Sequence, residues 1–495
     1  MIEPWRKDLK GRRAVVVGAG LGGLCAAASL ALRGARVTVF EAAAEPGGRL
    51  AGALGPGPAH LSWPRVLTRL WSHADLRFSD FVQLRRVDPP LSAMAGGEKT
   101  LELWSDPERF RASLAALDEA DAAAAPLFAR RVDAIGRRAD RAASVPRRGL
   151  PARSPRGPFA RKGSAARLID QSFRHPAARR ALRHLLLAQG LHPESAPRER
   201  LELLAAWWRH GAWFPEGGWP ALLAAVLRLA EFTGVRIETR CRAAAIVVRG
   251  GKVRSVRAAD GAEAVCDLVV ANAHPLAAGA LLEFDDPAGA PRPPKLPPYQ
   301  PGPSATTVLL KVPARLAALR VLTLVPSRLA PEEETRQVFH WRTPPSNPTV
   351  EIVNHSRIGL AEDAPPPEHA WLAVRFASPA MSARFRWDAD AAEAEQERLL
   401  AAWRKGPLKP FVEAAVEVRT IAPPAWADAF SLPGGALWGV GGPGHEPAAG
   451  RFPNAWPGLV GLYLAGAACH PGPDPAQVVQ SGILAAELAA EDLGG

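Results

Sequence analysis

Cysteine and tyrosine are scarce in this chain, and no long hydrophobic run is free of breakers. Its 495 residues include four cysteines and two tyrosines. Cys25, Cys241, Cys266 and Cys469 stand too far apart for a Cys-x-x-Cys zinc or redox motif, although Cys469 adjoins His470. A disulfide scaffold is excluded, no metal is expected, and a reducing compartment fits. Spanning a bilayer takes about 18 to 20 uninterrupted apolar residues, and the one run of that length contains several glycines. Also missing are a Ser-His-Asp triad, paired carboxylates and metal-ligand spacing, so no catalytic acid or base can be named from the sequence. No helix-turn-helix, zinc finger or stacking platform accompanies the positive charge, so no nucleic acid is expected as a partner.

What is present is ordinary globular composition, 47% apolar and 22% charged, with length for two or three domains. Lys and Arg number 61 against 49 Asp and Glu, a net charge of +12 that suits an anionic partner such as a membrane surface. Fifteen tryptophans suit a pocket for greasy ligands, but they also serve as core. Arg6, Lys7, Lys10, Arg12 and Arg13 precede AVVVGAGLGGLCAAASLAL, which imitates a signal peptide. The pattern inside the run argues for a β-α-β unit instead. Val15 to Val17 form a β-branched strand, helix formers follow to Arg33, Gly34 stops the helix, and RVTVFE resumes as strand.

Within that unit Gly18-x-Gly20-x-x-Gly23, with Leu21 and Gly22 opening the helix, has the spacing of a dinucleotide turn. Gly18 allows the tight turn, Gly20 lets a pyrophosphate approach the backbone, and Gly23 lets helix pack on strand. Glu41 ends the second strand, where a ribose-hydroxyl acceptor is expected. Gly47-Gly48-Arg49 follows, and the whole string VVVGAGLGGLCAAASLALRGARVTVFEAAAEPGGR resembles the N-terminal FAD motif of the flavin amine oxidase and phytoene desaturase superfamily. The resemblance implies that Gly48 and Arg49 close over the FAD pyrophosphate.

Two further segments carry the same resemblance. WFPEGGWPALLAAVLRLAEFTGVRIETRCRAAAIVV, continuing to VVANAHP, is similar to the family's second FAD segment. It implies an adenine contact at Ala243 and a return turn at Asn272 through Pro275. GLYLAGAACHPGPDPAQVVQSGILAAELAAEDL resembles the carotenoid-desaturase C-terminus, where Gly466 permits close backbone approach and Gln477 or Val478 opens a helix facing the flavin. The implied architecture is α/β. A discontinuous Rossmann-type FAD-binding domain spans 1–62, 212–284 and 425–495, and an α+β substrate domain spans 63–211 and 285–424.

Within the substrate domain, PSATTVLLKV, PTVEIVNHS and APPPEHAWLAVRFASP alternate as strands of one antiparallel sheet, and 63–211 reads mainly as a helical lid. A basic stretch at about 130–165, rich in Arg, Pro, Gly and Ser, reads as a mobile loop able to dock on anionic lipid or simply to stand in solvent. The family implies hydride transfer from a carotenoid or other isoprenoid to flavin N5, with quinone or oxygen as final acceptor, in the cytoplasm at the inner face of the cell membrane. FRHPAARRALRHLLLAQGLHP and LWSDPERFRASLAAL resemble the desaturases of hydroxylated or methoxylated carotenoids. Alternatives of the same fold are a hydroxysqualene or dehydrosqualene-type oxidoreductase, a carotenoid isomerase, and a degenerate FAD-binding carrier. Two departures bear on the choice: the hairpin after Arg49 is short, with Gly55 where the family has an acid, and Asp474 stands where it has a small or apolar residue. His340, His355 and His470 are the titratable candidates.

Overall fold

The computed structural model describes residues 9–494 apart from 53–54, 56, 97–98, 150–162, 286–299, 357, 359–366, 383–384, 386, 439 and 442–450. The β-branched run folds as strand β1 (Arg13–Val17), the Gly-rich stretch opens helix α1 (Leu21–Leu32), and strand β2 (Arg36–Phe40) returns parallel to β1. Gly34 ends the helix turn at φ +89°, a conformation that only glycine adopts freely. Three more strands complete a parallel sheet in the order Leu462–Leu464, Leu268–Ala271, β1, β2, Arg236–Glu238. One sheet face meets α1 and the C-terminal helix Pro475–Leu493, and the other packs on a four-stranded sheet through Ile246, Val248 and Val256.

α1 is enclosed, which accounts for its signal-like composition. Leu21 to Leu30 are all buried, between the sheet, helix Gly218–Phe232 and the C-terminal helix. A helix buried on every side is apolar on every side.

The second large sheet has seven strands, in the order Glu417–Ile421, Ser304–Pro313, His369–Ser378, Val350–Asn354, Leu322–Val325, Leu91–Gly96, Lys99–Leu103. Alternation divides its faces as period-two strands require. Val308, Leu310, Ile352, Leu372 and Val374 meet Leu399 and Trp403 of helix Ala389–Trp403, while Leu309, Val353 and Ala373 join the core that holds α1.

The substrate-region expectations need three corrections. Residues 63–211 contain the hairpin Leu91–Gly96/Lys99–Leu103 as well as helices, and that hairpin extends the large sheet. LSAMAG carries no alternating signal, so only its partner strand makes it β. The sheet is mixed, because Leu322–Val325 and Leu91–Gly96 run parallel. Residues 130–143 of the expected basic loop are the second half of a helix, Glu119–Ala143, whose Phe128, Val132 and Ile135 are buried at helical spacing. The Pro- and Gly-rich part, 150–162, lies outside the described residues.

Candidate functional site

Five glycines meet around one asparagine. Asn272, at the end of strand Leu268–Ala271, donates from Nδ2 to Ala465 O at 3.0 Å. A Cβ placed on Gly18, Gly20, Gly22, Gly23 or Gly466 would lie within 3.0 Å of an Asn272 atom, and one on Gly23 would also stand 2.1 Å from Gly18 O. Side chains there would force strand, helix and turn apart. Gly20 cannot cap α1 with a side chain, so the helix presents its first amides without a side-chain acceptor. Glu41 Oε2 accepts from Ala19 N at 2.7 Å and Oε1 from Ala43 N at 2.8 Å, so this carboxylate also fastens the turn to the end of β2.

Gly47 and Gly48 lie directly on that turn. Gly47 N donates to Ala19 O at 2.9 Å, and a Cβ on Gly48 would stand 3.3 Å from Gly20 Cα. Arg49 follows. Its side chain is accessible, yet the protein around it pushes the guanidinium below its ordinary pKa by desolvation, and it makes no hydrogen bond or ion pair with any described residue. Such a cation beside an uncapped helix start suits a pyrophosphate.

The C-terminal segment closes the same site, with one correction. Its helix begins at Pro475, two or three residues before the expected Gln477 or Val478, because Asp474 is the N-cap. Asp474 Oδ1 accepts from Ala476 N at 2.9 Å, and Gln477 Oε1 accepts from Asp474 N at 3.4 Å. Asp474 Oδ2 accepts from both N and Oγ of Ser62, at 2.9 and 3.1 Å. Burial pushes this carboxyl up to about 6 even so. The acid is engaged in capping and in holding strand Leu61–Ser62. Val478 Cγ1 comes within 3.2 Å of a Cβ placed on Gly22, bringing the two helix starts together. Ala243 begins strand Ala243–Arg249, and the chain before it is stitched to the end of β2 by Cys241 N to Glu41 O at 2.8 Å.

Residues 13–299 match the family model described as FAD dependent oxidoreductase. The hydroxyneurosporene desaturase of Rubrivivax gelatinosus is 30% identical over 525 residues, covering 98% of this chain and 94% of that protein. This chain belongs to the carotenoid desaturase family of FAD-dependent oxidoreductases. A second hydroxyneurosporene desaturase, from Cereibacter sphaeroides, is 29% identical over 97% of this chain and 98% of its own length. An oxidoreductase from Methanosarcina mazei, 18% identical, shares the fold at a TM-score of 0.62, covering 95% of this chain and 98% of that one.

Of the three candidate histidines, His355 packs against the segment that follows Arg49 and against strand Ala212–Pro215. Its Nε2 lies 3.1 Å from Ala59 O, and its ring packs on Phe214 at 4.4 Å. His340 sits instead on the π-helical turn Gln337–Trp341 beside His192 at 3.3 Å, and His470 bonds Ala142 O at 2.9 Å. Sequence reasoning missed His60, whose Nε2 lies 3.2 Å from Pro90 O and whose ring meets Trp207 edge-on. Its only signal was a position shortly after the Gly-rich segment.

Burial pushes both His60 and His355 down to about 4, so each stays neutral at pH 7. Between pH 4 and the ordinary 6.5 the unfolded chain binds more protons at these two rings than the folded one, so acidification through that window destabilises the fold. Asp474, raised from 3.8 to about 6, opposes with one proton over nearly the same window. Glu334 and Glu487, which burial also raises, act with Asp474, and His470, which burial lowers, acts with the two rings. The contribution of one ring is read by difference: from pH 7 to pH 5 the thermal midpoint of His355→Gln should move less in the destabilising direction than that of wild type, and an equal pH dependence in that variant would contradict the assignment.

Proposed function

We propose that this protein desaturates a carotenoid that carries a hydroxyl or methoxyl group, with FAD as the cofactor that takes the hydride. The observation that carries the cofactor reading is Arg49, a desolvated guanidinium without a partner among the described residues, beside the uncapped start of α1. Gly18, Gly20, Leu21, Gly22, Gly23, Gly48 and Arg49 would hold the pyrophosphate, Glu41 a ribose hydroxyl, and Ala243 the adenine. Asn272, Gly466, Gln477 and Val478 would line the flavin side. When bound, FAD supplies the hydride acceptor. The chain's own part is orientation and exclusion of water: Trp219 donates to Pro58 O at 2.8 Å, and Leu309 and Ile421 face Gly55 at van der Waals distance from its Cβ position. Residues 1–62, 212–284 and 425–495 form the cofactor half, and 63–211 with 285–424 the polyene half. The hydroxylated substrate class is supported by whole-length similarity to two proteins named for hydroxyneurosporene.

No helix among the described residues is long and apolar enough to cross a membrane. A greasy substrate still has to be drawn from lipid, and helix Glu119–Ala143 exposes Arg130, Arg131, Arg138 and Arg141 beside exposed Leu127. On an anionic bilayer each such residue contributes about 1 kcal/mol. This helix is therefore the proposed contact with the inner face of the cell membrane, where a quinone, or oxygen, would reoxidise the flavin.

The test is an anaerobic spectrum of the FAD-loaded protein with hydroxylated and unsubstituted carotenoids in liposomes containing anionic lipid. Loss of the oxidised flavin band with a red-shifted polyene spectrum is expected. Bound flavin that stays oxidised with every polyene would redirect the assignment to another isoprenoid, such as a hydroxysqualene. Failure to bind flavin would end the enzymatic reading.

A further inference from the structure

The face of the seven-stranded sheet that looks toward the cofactor half is apolar over much of its middle, carries Lys311, Glu417 and Arg419 toward one edge, and is crossed by one row with charge at its centre. Register places Ile421, Thr307, Arg375, Glu351, Leu324 and Ala93 side by side across six strands. The next row, Leu309, Ala373, Val353 and Leu322, is apolar up to Arg419 on the edge strand. Arg375 donates to Glu351 Oε2 from Nε at 3.0 Å and from Nη2 at 2.7 Å, while His184 Nε2 meets Glu351 Oε1 at 3.0 Å. Arg375 thus uses one edge of its fork. Neither Nη1 nor the neighbouring Thr307 hydroxyl is hydrogen-bonded to a described residue, and 27% of the Arg375 side chain stays accessible in the middle of the sheet.

A hydrocarbon polyene gives no reason for this arrangement. A buried ion pair adds little stability over a well-packed apolar pair of the same size, and it obliges the sheet to satisfy every polar atom. Burial alone would raise the Glu351 carboxyl, but the Arg375 charge and the His184 hydrogen bond outweigh it and bring it down to about 2. The carboxylate is therefore permanently charged, and it fixes the orientation of the guanidinium so that the free edge and Thr307 remain available. Gly55, in the segment that follows Arg49, stands against Leu309 and Ile421, the apolar neighbours of Thr307, so the row lies beside the path from the cofactor cradle.

We infer that Arg375 and Thr307, oriented by Glu351 and His184, form the specificity site that binds the oxygen substituent of the carotenoid. Arg375 Nη1 donates to the substituent oxygen, and Thr307 Oγ1 donates to an ether oxygen or accepts from a hydroxyl. This assignment rests on the carotenoid reading above, deepening it to named residues.

The experiment measures dissociation constants of a hydroxylated carotenoid and its unsubstituted parent by tryptophan quenching of the FAD-loaded protein. Wild type is expected to prefer the hydroxylated ligand by about tenfold or more, the range of one hydrogen bond to a charged group. Arg375→Met combined with Glu351→Gln, which leaves no unpaired buried charge, should erase that preference and keep the parent's affinity within about twofold. Thr307→Val, which changes no charge and little volume, should reduce it a few-fold. An undiminished preference in both variants, or equal loss for both ligands, would overturn the inference, as would no preference in wild type. Because binding is read without turnover, a wild type that discriminates yet transfers no hydride would refute desaturation and leave the site standing.

Discussion

Replacing Arg49 with methionine should raise the dissociation constant for FAD about 100-fold or more while the chain stays folded, because a charge-assisted contact to a pyrophosphate is lost in a desolvated site. The sign for the apoprotein is opposite. Arg49 has no counter-charge among the described residues and is desolvated, so without cofactor it costs folding energy. The Arg49→Met apoprotein should therefore melt no lower than wild type, and the rise in melting temperature that FAD gives wild type should be nearly absent. Titration calorimetry with FAD and paired melts of apo and loaded protein test both halves. An affinity within about threefold of wild type would show that the pyrophosphate lies elsewhere.

Gly482→Ala is expected to be strongly destabilising. Its Cβ would stand 2.3 Å from Gly22 O and 2.8 Å from Ala26 N, both backbone atoms of α1 that no rotamer change can move. The C-terminal helix would have to lift from α1, at a cost of about 3 kcal/mol or more. Gly22 and Val478 belong to the same contact, so FAD affinity should fall together with stability. Gly163→Ala is the control: nothing among the described residues lies within 4 Å of its Cβ position, and its effect should stay within about 0.5 kcal/mol. Chemical denaturation of the three proteins decides the matter, and a Gly482→Ala midpoint equal to wild type would mean that the two helices do not touch there.

Much of the cofactor half was legible because its information is local. A β-branched run, glycines at fixed spacing, helix formers, a terminal glycine and a second strand occupy consecutive residues, and each choice has one backbone consequence. The same holds for Gly47 through Arg49. The last helix starts at Pro475, two or three residues before Gln477 or Val478, because Asp474 is its N-cap rather than a substituent set beside the cofactor. The spacing of Asp474 to Gln477 is that of a capping box, and this could have been read from the sequence.

The sequence by itself determined the α/β class, the Gly-rich turn between strand and helix, the cofactor and the family, since those follow from short patterns whose meaning does not depend on distant partners. Tertiary structure alone decided that LSAMAG is a strand, because its β identity comes from the neighbour it pairs with. It also decided that Asp474 is bound to Ser62, 412 residues away, and that His355 is the candidate histidine that meets Ala59, beside an unforeseen His60. The row Thr307, Arg375, Glu351 was invisible for the same reason: each residue is an ordinary polar position within its own strand, and only the register of three strands sets them side by side on one face.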